Sequence, residues 1–249
     1  GGTILAGGDF QGKNPEVANS QTTTVEEGAQ LIANALHAGN AGKIIVWADE
    51  TTRFEGSLQA QAFGETGNGG FAEVSGKQIL HFRPQAIDLN AIGLGADGSI
   101  LLDPSDFTIG VVEAANITAL LDAGTDVVIA TDPGGAGNGD IFVNAAISSA
   151  GAGSLTFLAS RHVDVDALVQ IGSGDMQIAA GWDGATGFSG AFDSVNSTDP
   201  LNFAAITGDT TAFGNLGGDI LITPSVATGA AVGSQTGVTN LVGDSLVLN

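Results

Sequence analysis

The sequence predicts an all-β solenoid with short helical or loop insertions, and three observations carry that prediction. The first is spacing: the intervals from Gly42 to Gly70 and from Gly70 to Gly98 are both 28 residues, and an equal interval marks a repeat. The second is the pattern behind each glycine. Two columns are wholly apolar, Ile44, Ala72, Ile100 and Val46, Val74, Leu102, while the positions between them mix Lys43, Phe71 and Ser99 with Ile45, Glu73 and Leu101. Alternation of period two describes a strand with one buried face. The third is composition: 39 of 249 residues are glycine, about twice the usual share of roughly 7%. They cluster in "GNGG", "GGAGNGD" and "GAGS", between apolar runs, where tight turns need positive φ.

Taken in order along the chain, Gly2 opens the template with Ile4 and Ala6. "VEEGAQLIANAL", residues 25–36, reads as a short helix beside strand-like sequence. After Gly98 the anchors are Thr125, Gly139, Gly153, Gly174, Gly218 and Asp244. Their inward pairs are Val127 and Ile129, Ile141 and Val143, Leu155 and Phe157, Met176 and Ile178, Ile220 and Ile222, and Leu246 and Leu248. Two of these intervals are 14, half of 28, which implies more than one strand per turn. "NITALLDAG" predicts a helix with Asn116 as N-cap, Ile117, Leu120 and Leu121 as its apolar face and Gly124 as its stop. Residues 180–217 lack the template and are expected to be an irregular loop or insertion. The whole of 1–249 is then a single continuous solenoid, expected to be a fragment of a longer chain. With Val74 facing inward and Glu73 outward, Glu73→Ala is expected to change stability by roughly 0.5 kcal/mol or less.

Charge narrows the partners. The formal net charge is −21, and only Arg161 is basic after residue 83, against eighteen acidic residues there. Such a surface repels phosphate backbones and anionic headgroups, so nucleic acid and direct membrane binding are disfavoured. No run approaches the roughly 18 apolar residues of a membrane span. The absence of cysteine excludes thiolate metal sites and disulfides.

The segments "GGTILAGGDFQGKNPEVANSQTTTV", "GKIIVWADETTRFEGSLQAQ", "GNGGFAEVSGKQIL" and "GSILLDPSDFTI", in that order, resemble the region following the secretion domain in filamentous haemagglutinin-like adhesins of two-partner secretion systems. "TDVVIATDPGGAGNGDIFVNAAIS" and "GSLTFLASRHVDVDALV" are similar to the repeats of those proteins, so the resemblance covers about the first 170 residues. It implies a right-handed parallel β-helix, secreted through an outer-membrane transporter to the surface of a Gram-negative-type bacterium, acting in adhesion or as a long stalk. It lends no residue-level site.

The chemical motifs are few. "GLGADG", residues 93–98, fits G-x-G-x-x-G but leads into a strand instead of opening a helix, so it reads as a turn. "GGAGNGDIF" partly resembles the glycine and aspartate turns that hold Ca²⁺ in β-rolls. Its ligand candidates are Asn138 and Asp140, and Ca²⁺ wants six to eight oxygens. Calcium is the one cofactor candidate. "RHVDVDA" sets His162, Asp164 and Asp166 on one strand face, read as a solvated outer row. Polysaccharide lyases need basic residues that are absent beside Arg161, no aspartate pair among Asp164, Asp166 and Asp183 stands out for inverting hydrolysis, and His37, His81 and His162 lack a nucleophile elbow. Ile45, Trp47 and Phe71 are apolar at outward positions, so they either lie under a loop or form an interaction patch.

The reading is a secreted, non-catalytic adhesin or stalk that meets a surface glycan or protein receptor. Its first alternative is a subunit that associates end to end into an extracellular filament, and its second is a polysaccharide-active enzyme.

Overall fold

The computed structural model describes residues 1–132, 136–180 and 182, and beyond these the backbone of five strands between 206 and 248. The chain runs in cycles. The first cycle gives β1 (Thr3–Ala6), β2 (Thr22–Val25) and β3 (Gln30–Ile32). The second gives β4 (Lys43–Ala48), β5 (Thr51–Phe54) and β6 (Ser57–Gln59), the third β7 (Phe71–Gly76), β8 (Ile79–Phe82) and β9 (Ala86–Asp88). In the fourth, β10 (Ser99–Leu102) and β11 (Phe107–Ile109) are followed by α1 (Val111–Asp122). Then come β12 (Asp126–Ala130), β13 (Ile141–Val143) and β14 (Ile147–Ser148), and β15 (Leu155–Ala159), β16 (Val163–Val165) and β17 (Val169–Ile171). The last strands are β18 (Met176–Ala180), β19 (Ile206–Thr207), β20 (Ala212–Asn215), β21 (Asp219–Thr223), β22 (Asn240–Val242) and β23 (Ser245–Leu248).

All pairings between these strands are parallel, and each strand pairs with its counterpart one cycle away. The central sheet has nine strands in the order β1-β4-β7-β10-β12-β15-β18-β21-β23. The other two positions of the cycle form β2-β5-β8 and β3-β6-β9 first, and β11-β13-β16-β19 and β14-β17-β20-β22 afterwards. The apolar columns of the sequence are the registers of the central sheet. Ile44 faces Ala72, Ala72 faces Ile100, and Ile100 faces Val127; further on, Val127, Leu155, Met176, Ile220 and Leu246 follow one another. Ile141 and Val143 belong to β13 in a different sheet, which is why the anchor at Gly139 falls halfway through a cycle.

The inward residues from Ile44 to Met176, with Phe54 stacked on Phe82 at 6.4 Å between ring centroids, form one continuous core along the stack. The glycines at the heads of β4, β7 and β10 serve this stacking and not a special φ. A Cβ on Gly42 would lie 2.1 Å from the Gly2 carbonyl oxygen, on Gly70 2.5 Å from that of Gly42, and on Gly98 2.0 Å from that of Gly70. Real Cβ atoms are excluded at such distances, so only glycine lets one cycle settle on the next.

Two sequence expectations are corrected. Residues 25–36 are not a helix: they contain the end of β2, a turn at Gly28 with φ +81°, and β3, because Val25 and Leu31 pack inward as strand residues. The predicted helix does form, but it begins at Val111, with Gly110 as an N-cap that offers no side chain, and Asn116 lies inside it. Ala114, Ile117, Leu120 and Leu121 are its buried face, and Gly124 at φ +89° ends it. The helix stands where a third strand would stand, packing on β11, β12 and β14. Within residues 180–217, most of which lie outside the described residues, β19 and β20 pair in register with β16 and β17.

Candidate functional site

The outward face of β4, β7 and β10 is not solvated. Residues 9–19 fold over it as a strap. Asp9 begins it by accepting the Phe10 amide at 2.7 Å, and its other oxygen takes the Asn14 side-chain amide at 2.7 Å. Phe10 lies against Phe71 at 5.9 Å between centroids, with the Lys43 ammonium 5.1 Å above the Phe10 ring. Gly12 lies on the Trp47 indole, where a Cβ would fall 2.5 Å from Nε1. Asn19 closes the strap: its Nδ2 donates to the Gly12 carbonyl at 2.9 Å and to Asp49 Oδ1 at 3.0 Å, an oxygen that also accepts Trp47 Nε1 at 3.1 Å.

Gln11, between them, is the one non-glycine residue among those described with positive φ, at φ 53° and ψ 20°. That backbone costs about 1–3 kcal/mol, and three contacts hold it. Its N–H donates to both oxygens of Glu73 at 3.2 and 3.1 Å, its Nε2 donates to Asp103 Oδ2 at 2.9 Å, and its Oε1 accepts Lys13 Nζ at 2.9 Å.

The strap therefore rests on two buried carboxylates. Glu73 is 0% exposed and Asp103 6%. Burial pushes Glu73 up to about 8, against the pull of the Gln11 N–H, with the Asp103 charge adding to the rise. Burial also pushes Asp103 up to about 6, Gln11 again opposing and Asp132 adding to it. The Asp103 backbone N–H is satisfied by Ser75 Oγ at 3.1 Å, but its Oδ1 has no hydrogen-bond partner. Asp103 lines an open cleft of about 510 Å³ bounded by the strap on one side and by Trp47, Lys77 and Gln78 on the other. Glu73 does not line it; the strap seals it away.

The sequence-derived candidates fall as follows. Ile45 and Trp47 are 0% and 4% exposed, and Phe71 is half-buried against Phe10, so these three lie under a loop and form no open patch. Glu73, read as outward and dispensable, is outward from the main core yet buried, and that expectation is corrected for the same reason. Asp140, a calcium-ligand candidate, is 2% exposed, and its carboxylate is taken by the Arg161 guanidinium, through Nε at 2.7 Å and through Nη2, and by the His162 amide at 3.1 Å. Asn138 is exposed, and its amide joins those of Gly139 and Asp140 in donating to Asp106 Oδ1, each at 2.8 Å. The turn thus closes around an aspartate with N–H groups inward, the opposite polarity to a cation cage. Residues 133–135 of it lie outside the described residues, as does Asp183. Asp164 and Asp166 are half-buried and exposed beside the inward Val163 and Val165, and burial holds His162 below the usual histidine range. Among the described residues no three His, Asp or Glu side chains converge in a metal-holding group, and no helix is long and apolar enough to cross a membrane.

Sequence reasoning missed Asp103 and the strap. The available signal was "KIIVWA", apolar at consecutive positions, which reads as a strand covered on both faces. A second exposed feature went unread. Ala35, Ala62 and Ala91 bridge in parallel, and the residues after the bridges, Leu36, Phe63 and Ile92, form a stepped apolar row at 66%, 46% and 59% exposure.

Comparison with known proteins finds no matching family model and no matching curated protein.

Proposed function

We propose that the chain is a non-catalytic segment of an extracellular adhesin or stalk of the filamentous-haemagglutinin-like kind, wound as a right-handed parallel β-helix with three strands per turn. The observation that carries this reading is the register of the central sheet. The segments that resemble the family contribute β1, β4, β7 and β10 to consecutive places in one parallel order, as a solenoid of that family requires. Right-handedness follows from the strong preference of parallel crossovers for that hand. Long stacking with side chains free to vary on the outside suits attachment at many points. The row of Leu36, Phe63 and Ile92 offers apolar contact to a protein receptor, and the net charge of −21 turns away phosphate-bearing partners.

A second reading, an end-to-end filament delivered to the same extracellular space, is favoured by one feature. Each cycle joins the next by parallel strand pairing, a contact that a further copy of the chain can extend in the same direction.

The deciding experiment coats beads with the purified chain and counts their retention on epithelial and bacterial cell layers, beside beads carrying a globular protein of equal net charge. Retention several-fold above that control is expected. Retention equal to it on every layer sinks the adhesin reading. Electron microscopy of the same material separates the alternatives. The central sheet's nine strands give single rods with about 38 Å of stacking at roughly 4.8 Å per strand, and long fibres instead would support the filament.

A further inference from the structure

We infer that the cleft beside the strap is a binding site for a neutral saccharide, held by Asp103 at its base. This deepens the adhesin reading and rests on it only for its biological use. The starting point is an accounting of acceptors. Among the described residues four buried side-chain atoms have no hydrogen-bond partner, and two of them, Asp103 Oδ1 and Asn19 Oδ1, belong to residues that line this one cleft. Asn19 Nδ2 has two acceptors, Gly12 and Asp49, and its oxygen is turned toward Gly8, so the acceptor that matters for a ligand is that of Asp103. Asp103 uses Oδ2 for Gln11 and keeps Oδ1 over. A buried acceptor left unmade costs about 1–3 kcal/mol, more when charged, so a ligand that fills it must bring hydrogen-bond donors.

The rest of the lining selects among donors. A polyamine would meet Asp103 well, but Lys13 and Lys77 stand at the same cleft and repel a cation. An acidic sugar would satisfy the lysines, but Asp49, Glu50 and Asp132 repel it. Gln21 and Gln78 present both donors and acceptors. The group that can give to Asp103, accept from a lysine and exchange both ways with an amide is a hydroxyl. A molecule dense in hydroxyls and without net charge is a neutral oligosaccharide. The cleft's volume, about 510 Å³, lies within the range of small-ligand sites. The indole of Trp47 bounds the cleft, but Gly12 already covers part of that ring, so recognition here is by hydrogen bonds more than by stacking.

The test is isothermal titration of the whole chain with cellotetraose, mannotetraose, chitotetraose and a β-linked galactotetraose, beside tetragalacturonate and spermidine. At least one neutral tetrasaccharide should bind, and neither charged probe should compete with it. Asp103→Leu, which removes the acceptor, should weaken that binding at least tenfold. Gln78→Ala alters an exposed side chain that the fold does not need, and should weaken it several-fold with unchanged melting temperature. It therefore keeps the test decisive if Asp103→Leu fails to fold. Binding of spermidine or tetragalacturonate alone, no binding of any neutral sugar, or undiminished binding in both variants overturns the proposal. The bead assay separates the two readings. Beads carrying Gln78→Ala that still adhere fully, although sugar binding is lost, would make adhesion independent of the cleft. Sugar binding without bead retention would remove the adhesin reading and leave the cleft standing.

Discussion

Glu73 makes the sharpest prediction, because its carboxyl is sealed under the strap with one backbone donor to share between two oxygens. The perturbation is Glu73→Gln, which keeps the shape and the acceptor for Gln11 and removes the ionisable proton. An acid raised from 4.5 to about 8 in the folded chain binds a proton that the unfolded chain has released. Its contribution is therefore fully present below pH 4.5 and is lost as pH rises through about 8. Each unit of difference is about 1.4 kcal/mol, so between pH 4.5 and 7 the parent should lose on the order of 3 kcal/mol that the glutamine variant keeps. Urea unfolding at pH 5, 6, 7 and 8 reads this as the gap between two curves. The variant should pull ahead of the parent with each step in pH and level off near pH 8. Asp103, raised to about 6, tilts both curves in the same sense, so the gap isolates Glu73. Parallel curves would refute the reasoning, since they would mean that Glu73 ionises in the folded chain as it does in water.

Two further outcomes follow from the stacking and from the turn at Asp106. Gly70→Ala should cost about 1–3 kcal/mol by overpacking, because its Cβ would fall 2.5 Å from the Gly42 carbonyl oxygen and 2.4 Å from the Ala60 Cβ; chemical unfolding measures it, and a cost near zero would mean that neighbouring cycles separate easily. Arg161→Leu should cost about 1–3 kcal/mol, discounted from the larger value for a buried pair because the guanidinium is one-third exposed while Asp140 is not. Added calcium should leave that loss unrestored, since the Asp140 carboxylate sits among groups arranged for an N–H partner, and a calcium-dependent recovery of melting temperature would show otherwise.

Much of the architecture was legible because period-two alternation is a property of the strand itself. The columns through Ile44, Ala72 and Ile100 are registers of the central sheet, and the 14-residue intervals did mark a second strand position. What stayed hidden depends on contacts far apart in sequence. Whether Glu73 faces water is decided by Gln11, 62 residues away, and no local pattern carries that. The same distance hides Asp103, whose sequence "LLDPS" looks like an ordinary strand end but whose oxygen meets Gln11 from 92 residues away. The helix boundary was missed for a different reason: Gly110 gives no capping side chain, and Val111 and Val112 are exposed β-branched residues that read as strand. Glycine's positive φ was legible at Gly139, but the close packing at Gly42, Gly70 and Gly98 was not, because a close carbonyl on the next cycle and a positive φ select the same residue.

The strap has a mechanical consequence. Trp47, Glu73 and Asp103 belong to three successive layers of the stack, and residues 9–19 grip all three. In a bare stack under tension, layers would peel away singly, each resisting with its own ladder of hydrogen bonds. Here the first layers are riveted across, so a pull on the amino-terminal end loads three layers at once and they yield in a single larger event. Such a fastening sets the force at which the stack begins to open.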